Sequence, residues 1–196
     1  LVCTGAGTFS EALEWTAEVY RAAGARLARR GTLQGVADEG GYWPSFQSNE
    51  EGLVELAAAI EDAGMRPGTD ACIALDVAAT QLHRDGRYHL ALEGRALDAD
   101  QLLAMYLRWL ERYPIVSIED PFAEHDAEAM RAITGAAGAR VQIVGDDFFV
   151  TDARRITQAE GACNCVLLKP NQVGTLTETL ACWDAARAIG YGAIAS

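Results

Sequence analysis

YPIVSIEDPFAE, residues 113–124, carries the pattern on which the reading of the fold turns. Its apolar run, Ile115–Ile118, is apolar on successive rather than alternate positions and closes on the carboxylates of Glu119 and Asp120. Runs of that kind suit strands covered on both faces. Four more share the character: Ala71–Leu75, Val141–Val144, Cys165–Leu168 and Tyr191–Ala195. Amphipathic segments lie between them. Leu103, Tyr106, Leu107 and Leu110 follow helical spacing, as do Leu53, Leu56, Ala57 and Ile60. Capping boxes at Thr8/Glu11, Ser48/Glu51 and Thr175/Glu178 mark helix starts. The expected helices run about 9–30, 49–64, 98–112, 124–136, 152–160 and 175–189, with 31–48 and 84–97 as the main loops. Strands alternating with helices predict an α/β domain built on about five parallel strands with flanking helices.

Each run ends in a polar residue: Asp76, Glu119-Asp120, Asp146-Asp147, Lys169 and Ser196. One carboxylate at such a place marks only where a strand leaves the core. Three followed by a lysine, on successive parallel strands, converge on the edge where barrels and open α/β sheets hold their active sites. Converging carboxylates repel unless a cation sits among them. Asp76, Glu119 and Asp146 are hard oxygen donors without a clustered His or Cys, which favours Mg²⁺ or Mn²⁺ over zinc or copper. Asp120 and Asp147 either brace these ligands or orient the lysine.

Lys169 is the only lysine among 16 basic residues. A lysine can give up a proton where an arginine cannot, which suits a general base or a Schiff-base nucleophile. Ala37–Tyr42, ADEGGY, is an acidic turn whose paired glycines let backbone approach a ligand. Glu39 is there a candidate proton donor or acceptor facing Lys169, although such a loop alone also fits an exposed turn. Trp43 and Pro44 are expected to pin it. His83, His89 and His125 stand isolated in polar segments and are read as surface residues.

The chain has 196 residues, half of them hydrophobic, enough for about one domain with a sizeable core. Its 28 acidic residues leave a net charge of −12, against a general nucleic-acid binder but not against a small anionic substrate held through metal. Cys3, Cys72, Cys163, Cys165 and Cys182 form no CxxC pair and read as buried reduced thiols. Neither a membrane span nor a signal peptide is legible, and the expected location is the cytoplasm. The chain lacks an initiating Met and stops just after an apolar run, so both ends are expected to be cut from something longer.

Taken together, the motifs resemble those of enolase: Gly5–Leu13 (GAGTFSEAL), Ala37–Pro44 (ADEGGYWP), Ala74–Ala79 (ALDVAA), Tyr113–Glu124, Val144–Thr151 (VGDDFFVT) and Leu167–Glu178 (LLKPNQVGTLTE). They fall in the family's order along essentially the whole chain. The resemblance implies part of an enolase-type (β/α)8 TIM barrel, incomplete here, in a parent protein that is commonly a homodimer. It implies the Mg²⁺-dependent reversible dehydration of 2-phosphoglycerate to phosphoenolpyruvate. By motif match, Asp76, Glu119 and Asp146 hold Mg²⁺ that grips the substrate carboxylate, and Glu119, Asp146 and Lys169 line the substrate. Lys169 is the base, and Glu39 belongs to the acid side that helps hydroxide depart.

Departures from the family pattern include Ala37 for Gly, Trp43-Pro44-Ser45 for Ala-Pro-Asn, Gln81 for Glu and Pro170 for Val. The family's N-terminal α+β domain, an upstream acidic strand, and a downstream His-Arg-Ser stretch and lysine fall outside this sequence. Five strands cannot close an eight-strand barrel, so the chain alone is expected to be aggregation-prone and nearly inactive. Two other readings stand beside enolase itself. One is a homologue working on a phosphonate analogue of the same substrate, suggested by Trp43 and Ser45. The other is a non-catalytic binding module.

Overall fold

A computed structural model describes residues 1–196, which divide into two compact units. The first comprises Leu1–Ile73, Leu90–Arg95 and Trp109–Ile115. In it, α1 (Phe9–Arg30) leads through a hairpin of β1 (Leu33–Val36) and β2 (Tyr42–Pro44) to α2 (Asn49–Asp62). Thr8 caps α1 by accepting from the Glu11 N–H at 3.1 Å, and Ser48 caps α2 by accepting from that of Glu51. In both cases the glutamate reaches back to the backbone N–H just before the cap, at Gly7 and Gln47. Val19, Ala59, Ile60 and Ala71 make the core between the helices. On its rim Glu55, buried, takes both Arg26 and Arg30, which satisfies a charge that would be costly alone.

The ADEGGY turn closes β1 on β2. Ala37 N–H donates to Gly41 O at 2.8 Å, and Gly40 turns the chain with φ 87°. What pins this turn is tyrosine rather than Trp43. The Tyr20 hydroxyl donates to Gly40 O at 2.8 Å and its ring stacks on Tyr42 at 4.2 Å. Trp43 alternates to the outer face of its strand and is 65% exposed.

The second unit comprises Ala74–His89, Ala96–Arg108 and Val116–Ser196. Its elements follow β3 (Ile73–Asp76), β4 (His83–Arg84), β5 (Arg87–Leu90), β6 (Arg95–Leu97), α3 (Ala99–Arg112), β7 (Ile115–Glu119), α4 (Ala127–Ala137), β8 (Gln142–Gly145), α5 (Ala153–Gln158), β9 (Cys165–Leu168), α6 (Pro170–Val173), α7 (Leu176–Ala188) and β10 (Gly192–Ala195). Five of these strands form one parallel sheet in the order β10-β9-β8-β7-β3, an open sheet and not a closed barrel. Spatial order therefore follows chain order, as short helical crossovers between neighbouring strands require. Every residue of β9 is buried, as successive apolar positions predict, whereas β10, an edge strand, is largely exposed.

Three expectations are corrected. The segments expected to be loops hold five short strands, the β1–β2 hairpin and a three-stranded β4-β5-β6 sheet. Two to four residues are too few for a hydrophobic period to register. The Asp85-Gly86 turn, with φ 52° and 72°, is the one signal of the β4–β5 hairpin that sequence offers. On α3 the buried stripe is Leu102, Met105, Tyr106, Trp109 and Leu110, while Leu103 and Leu107 are half-buried. The histidines are not all isolated. His83 and His125 meet edge to face at 5.0 Å, with His83 also against Tyr88, because the β4–β5 hairpin folds onto the loop after β7. Four cysteines are buried as free thiols and Cys3 is half-buried. Burial pushes the Cys165 thiol up to about 11, which suits packing rather than reactivity. No helix is long and apolar enough to cross a membrane.

Candidate active site

Parallel strands deliver their C-terminal ends to one edge, and there the second unit gathers the acidic strand ends. Asp76 closes β3 and Glu119 closes β7, while Asp146 follows β8 directly and Lys169 follows β9. Lys169 Nζ donates to Asp146 Oδ2 at 2.5 Å. Burial first, then the charges of Asp76, Asp146 and Asp120, push the Glu119 carboxyl up to about 7. Asp76 is likewise held above its ordinary range by burial and by the charges of Asp146 and Asp147, against the Ala78 N–H that donates to it and the Lys169 charge. The hydrogen bond that Lys169 donates to Asp146, followed by the charges of Asp146 and Glu119, holds the ammonium above its ordinary range. Four sequence-predicted side chains thus share one electrostatic neighbourhood. Glu39 lies in the first unit, exposed, on the turn between β1 and β2.

The tightest cluster of oxygens includes two residues whose roles the sequence left open. Carboxylate oxygens of Asp120, Asp146 and Asp147 all lie within 4.8 Å of one another. Asp120 braces this corner: Oδ1 accepts from the Asp146 N–H at 3.0 Å and Oδ2 from the Asp147 N–H at 2.8 Å. Its own backbone is left-handed, φ 40°. Ala78, Val150 and Thr151 share that strained region, so four of the five non-glycine residues with positive φ lie on the loops leaving β3, β7 and β8. The loop after β7 is fixed from beneath by aromatics. Tyr106 donates to Pro121 O at 2.8 Å, and the Tyr88 hydroxyl donates to Asp126 and accepts from the Ala123 N–H, both at 3.1 Å.

A cation fits this corner on two grounds. Asp146 Oδ1 is buried with no hydrogen-bond partner, an orphan that costs free energy unless something fills it. The surrounding donors are all carboxylate oxygens, hard ligands of the kind that Mg²⁺ and Mn²⁺ take.

Gly145 precedes this corner because nothing larger fits. A Cβ there would lie 2.5 Å from a ring carbon of Phe149, which is fully buried, and 3.2 Å from Cys163 Sγ. Gly145→Ala is expected to cost about 1–3 kcal/mol by overpacking and to displace Asp146. Denaturant titration measures the first effect, and cation affinity the second.

The carboxyl shifts also set a pH dependence. Glu119 and Asp120, pushed up to about 7 and about 6, both bind protons more tightly folded than unfolded. Their contribution to stability is complete below the ordinary carboxylate range, near pH 4, and is lost as pH rises through 6–7. Without added metal the stability is expected to fall between pH 5 and pH 7 by on the order of a few kcal/mol, and the melting temperature with it. Asp70, held down to about 2 by Arg66, acts with the opposite sign and only in stronger acid. Melts in a chelator across this range check the sign; a flat or rising profile refutes it.

The enolase C-terminal TIM barrel domain family matches residues 1–196, the whole chain. The chain belongs to that family. Membership accords with the open five-stranded parallel sheet and with the acidic strand ends that converge on Lys169. Thr151 and Gln172, which the sequence reading passed over, also meet at this enolase-type corner; no spacing rule links residues on separate loops.

Proposed function

We propose that this enolase-family domain removes the proton from the carbon next to a substrate carboxylate. Its reaction is then the reversible dehydration of 2-phosphoglycerate to phosphoenolpyruvate. The observation that carries the reading is the pairing of the chain's single lysine, at the end of β9, with Asp146 at 2.5 Å in a neighbourhood of further carboxylates. By family resemblance, Asp76, Glu119 and Asp146 are the residues that would hold Mg²⁺, with Asp120 and Asp147 clustered beside Asp146. Such an ion would neutralise the charge that builds on the substrate carboxylate as the proton leaves and, by drawing on Asp146, would loosen that residue's hold on the Lys169 proton.

Lys169, as the neutral amine, takes the α-proton. Electrons from the broken C–H bond form the new double bond, and hydroxide leaves the neighbouring carbon with a proton from the acid side, to which Glu39 is assigned by family resemblance. Water and phosphoenolpyruvate result. Asp120, by gripping the Asp146 and Asp147 amides, keeps the Asp146 carboxylate aimed as charge shifts around it. Substrate recognition rests on carboxylate and phosphate groups, which suit an acidic site only in company with cations.

The test is direct: turnover of 2-phosphoglycerate by the protein as its gene encodes it, followed by the ultraviolet absorbance of the enol product. Mg²⁺-dependent turnover abolished by chelator supports the reading. Cation binding at this corner without turnover sinks it. That second outcome favours the homologue acting on a phosphonate analogue, a reading that draws on Ser45 and on exposed Trp43, four residues after Glu39. An inert corner, binding no cation, leaves the non-catalytic module.

A further inference from the structure

Two consecutive residues, Val150 and Thr151, carry left-handed backbones with φ 46° and 51°. Both are β-branched, the side-chain type that tolerates this region least, so the turn persists only because its surroundings hold it. Thr151 is completely buried. Its hydroxyl accepts from the Lys169 backbone N–H at 3.1 Å and donates to Gln172 Oε1 at 2.7 Å. Its carbonyl accepts from the Cys182 thiol on α7. One residue on the loop after β8 thereby ties together the end of β9, α6 and α7.

The Lys169 N–H needs an outside acceptor. Lys169 is extended, φ −118° and ψ 101°, between the last residue of β9 and the first of α6, and Pro170 follows it. The Thr151 hydroxyl supplies that acceptor. Its single proton is committed to Gln172, so a lone pair is left for the lysine amide. A second acceptor for that proton, Leu167 O, lies at 3.5 Å and is the weaker choice. The lysine stem then leaves a fixed Cα, and Nζ comes to rest on Asp146 Oδ2.

We infer that Thr151, oriented by Gln172, is the positioning residue of Lys169: its hydroxyl fixes the backbone from which the amine reaches Asp146. This deepens the proposed function and rests on Lys169 being the base of that reaction. Thr151 itself touches no reacting atom. The left-handed strain at residues 150 and 151 is what brings the hydroxyl under the end of β9.

Lys169 is the only lysine, so isotope-labelled lysine reports on this one side chain without assignment. The experiment is proton–carbon correlation NMR of the 196-residue chain, metal-free, with ¹³C,¹⁵N-lysine. In the unaltered chain and in Thr151→Ser, the two Cε protons are expected at separate shifts, the signature of a held side chain. In Thr151→Val, which keeps the shape and the β-branch but cannot accept, they are expected to collapse to one averaged shift. Gln172→Leu, at an exposed position, should broaden or partly collapse the pair.

Separate shifts retained in folded Thr151→Val overturn the inference. So does collapse in Thr151→Ser equal to that in Thr151→Val, because the hydroxyl would then not be the cause. Should Thr151→Val fail to fold, Gln172→Leu decides: an unchanged Lys169 signal refutes the positioning chain, and partial collapse supports it. The measurement involves no turnover, so it fails or succeeds separately from the dehydration assay. A collapsed signal beside a Lys169→Ala variant of undiminished activity would retain the positioning role and discard the catalytic one.

Discussion

Lys169→Ala is expected to lower dehydration turnover by about 10²–10⁴-fold, the range that a positioned general base contributes. The fall should appear in kcat and kcat/KM alike, since the proton is transferred only on the way to the transition state. Lys169→Arg should be nearly as damaging. A guanidinium keeps the charge beside Asp146 but does not surrender a proton at any pH an enzyme meets. The two variants together separate base catalysis from simple charge pairing. Steady-state kinetics on 2-phosphoglycerate checks both, and wild-type rates in Lys169→Arg would reduce the amine to a structural cation.

The second large effect concerns the orphan oxygen of Asp146. Mg²⁺ at about 100 times its dissociation constant should stabilise the fold by about 2.7 kcal/mol. For a chain of this length that corresponds to a melting-point rise of about 5–10 °C. Asp146→Asn is expected to abolish that rise while leaving the metal-free protein folded, because the amide oxygen is neutral and removes one of several mutually repelling charges. Scanning calorimetry with and without Mg²⁺ measures the difference directly. The stabilisation should also weaken towards pH 5, where Glu119 and Asp120 bind protons in competition with metal. An undiminished Mg²⁺ shift in Asp146→Asn would move the cation elsewhere in the domain.

The repeating strand-and-helix frame was legible because its signals are strong and local. Runs such as Cys165–Leu168 are buried at every position, and Thr8, Ser48 and Thr175 each cap the helix expected after them. The β4-β5-β6 sheet was not, since strands of two to four residues carry no readable period. The α3 stripe was read one residue out of phase at Leu103 and Leu107, which flank the buried Leu102 and Tyr106 on the helix and stay half-buried. At the site, the strand-end residues Asp76, Glu119, Asp146 and Lys169 could be named from sequence because parallel strands carry their ends to one edge whatever lies between. Asp120 and Asp147 were visible only as neighbours with open roles.

By itself, then, the order of residues determined which side chains stand at strand ends, that they are three acids and a solitary amine, and which family's motifs they match. Those properties follow from burial and chain direction, which local pattern encodes. Tertiary structure alone decided that Asp120 grips two backbone amides across the sheet, that Asp146 meets Lys169, and that Thr151 reaches beneath the end of β9. Such contacts join residues 18 to 27 positions apart through left-handed turns, and hydrogen-bond geometry over that separation depends on how the loops pack, not on any spacing along the chain.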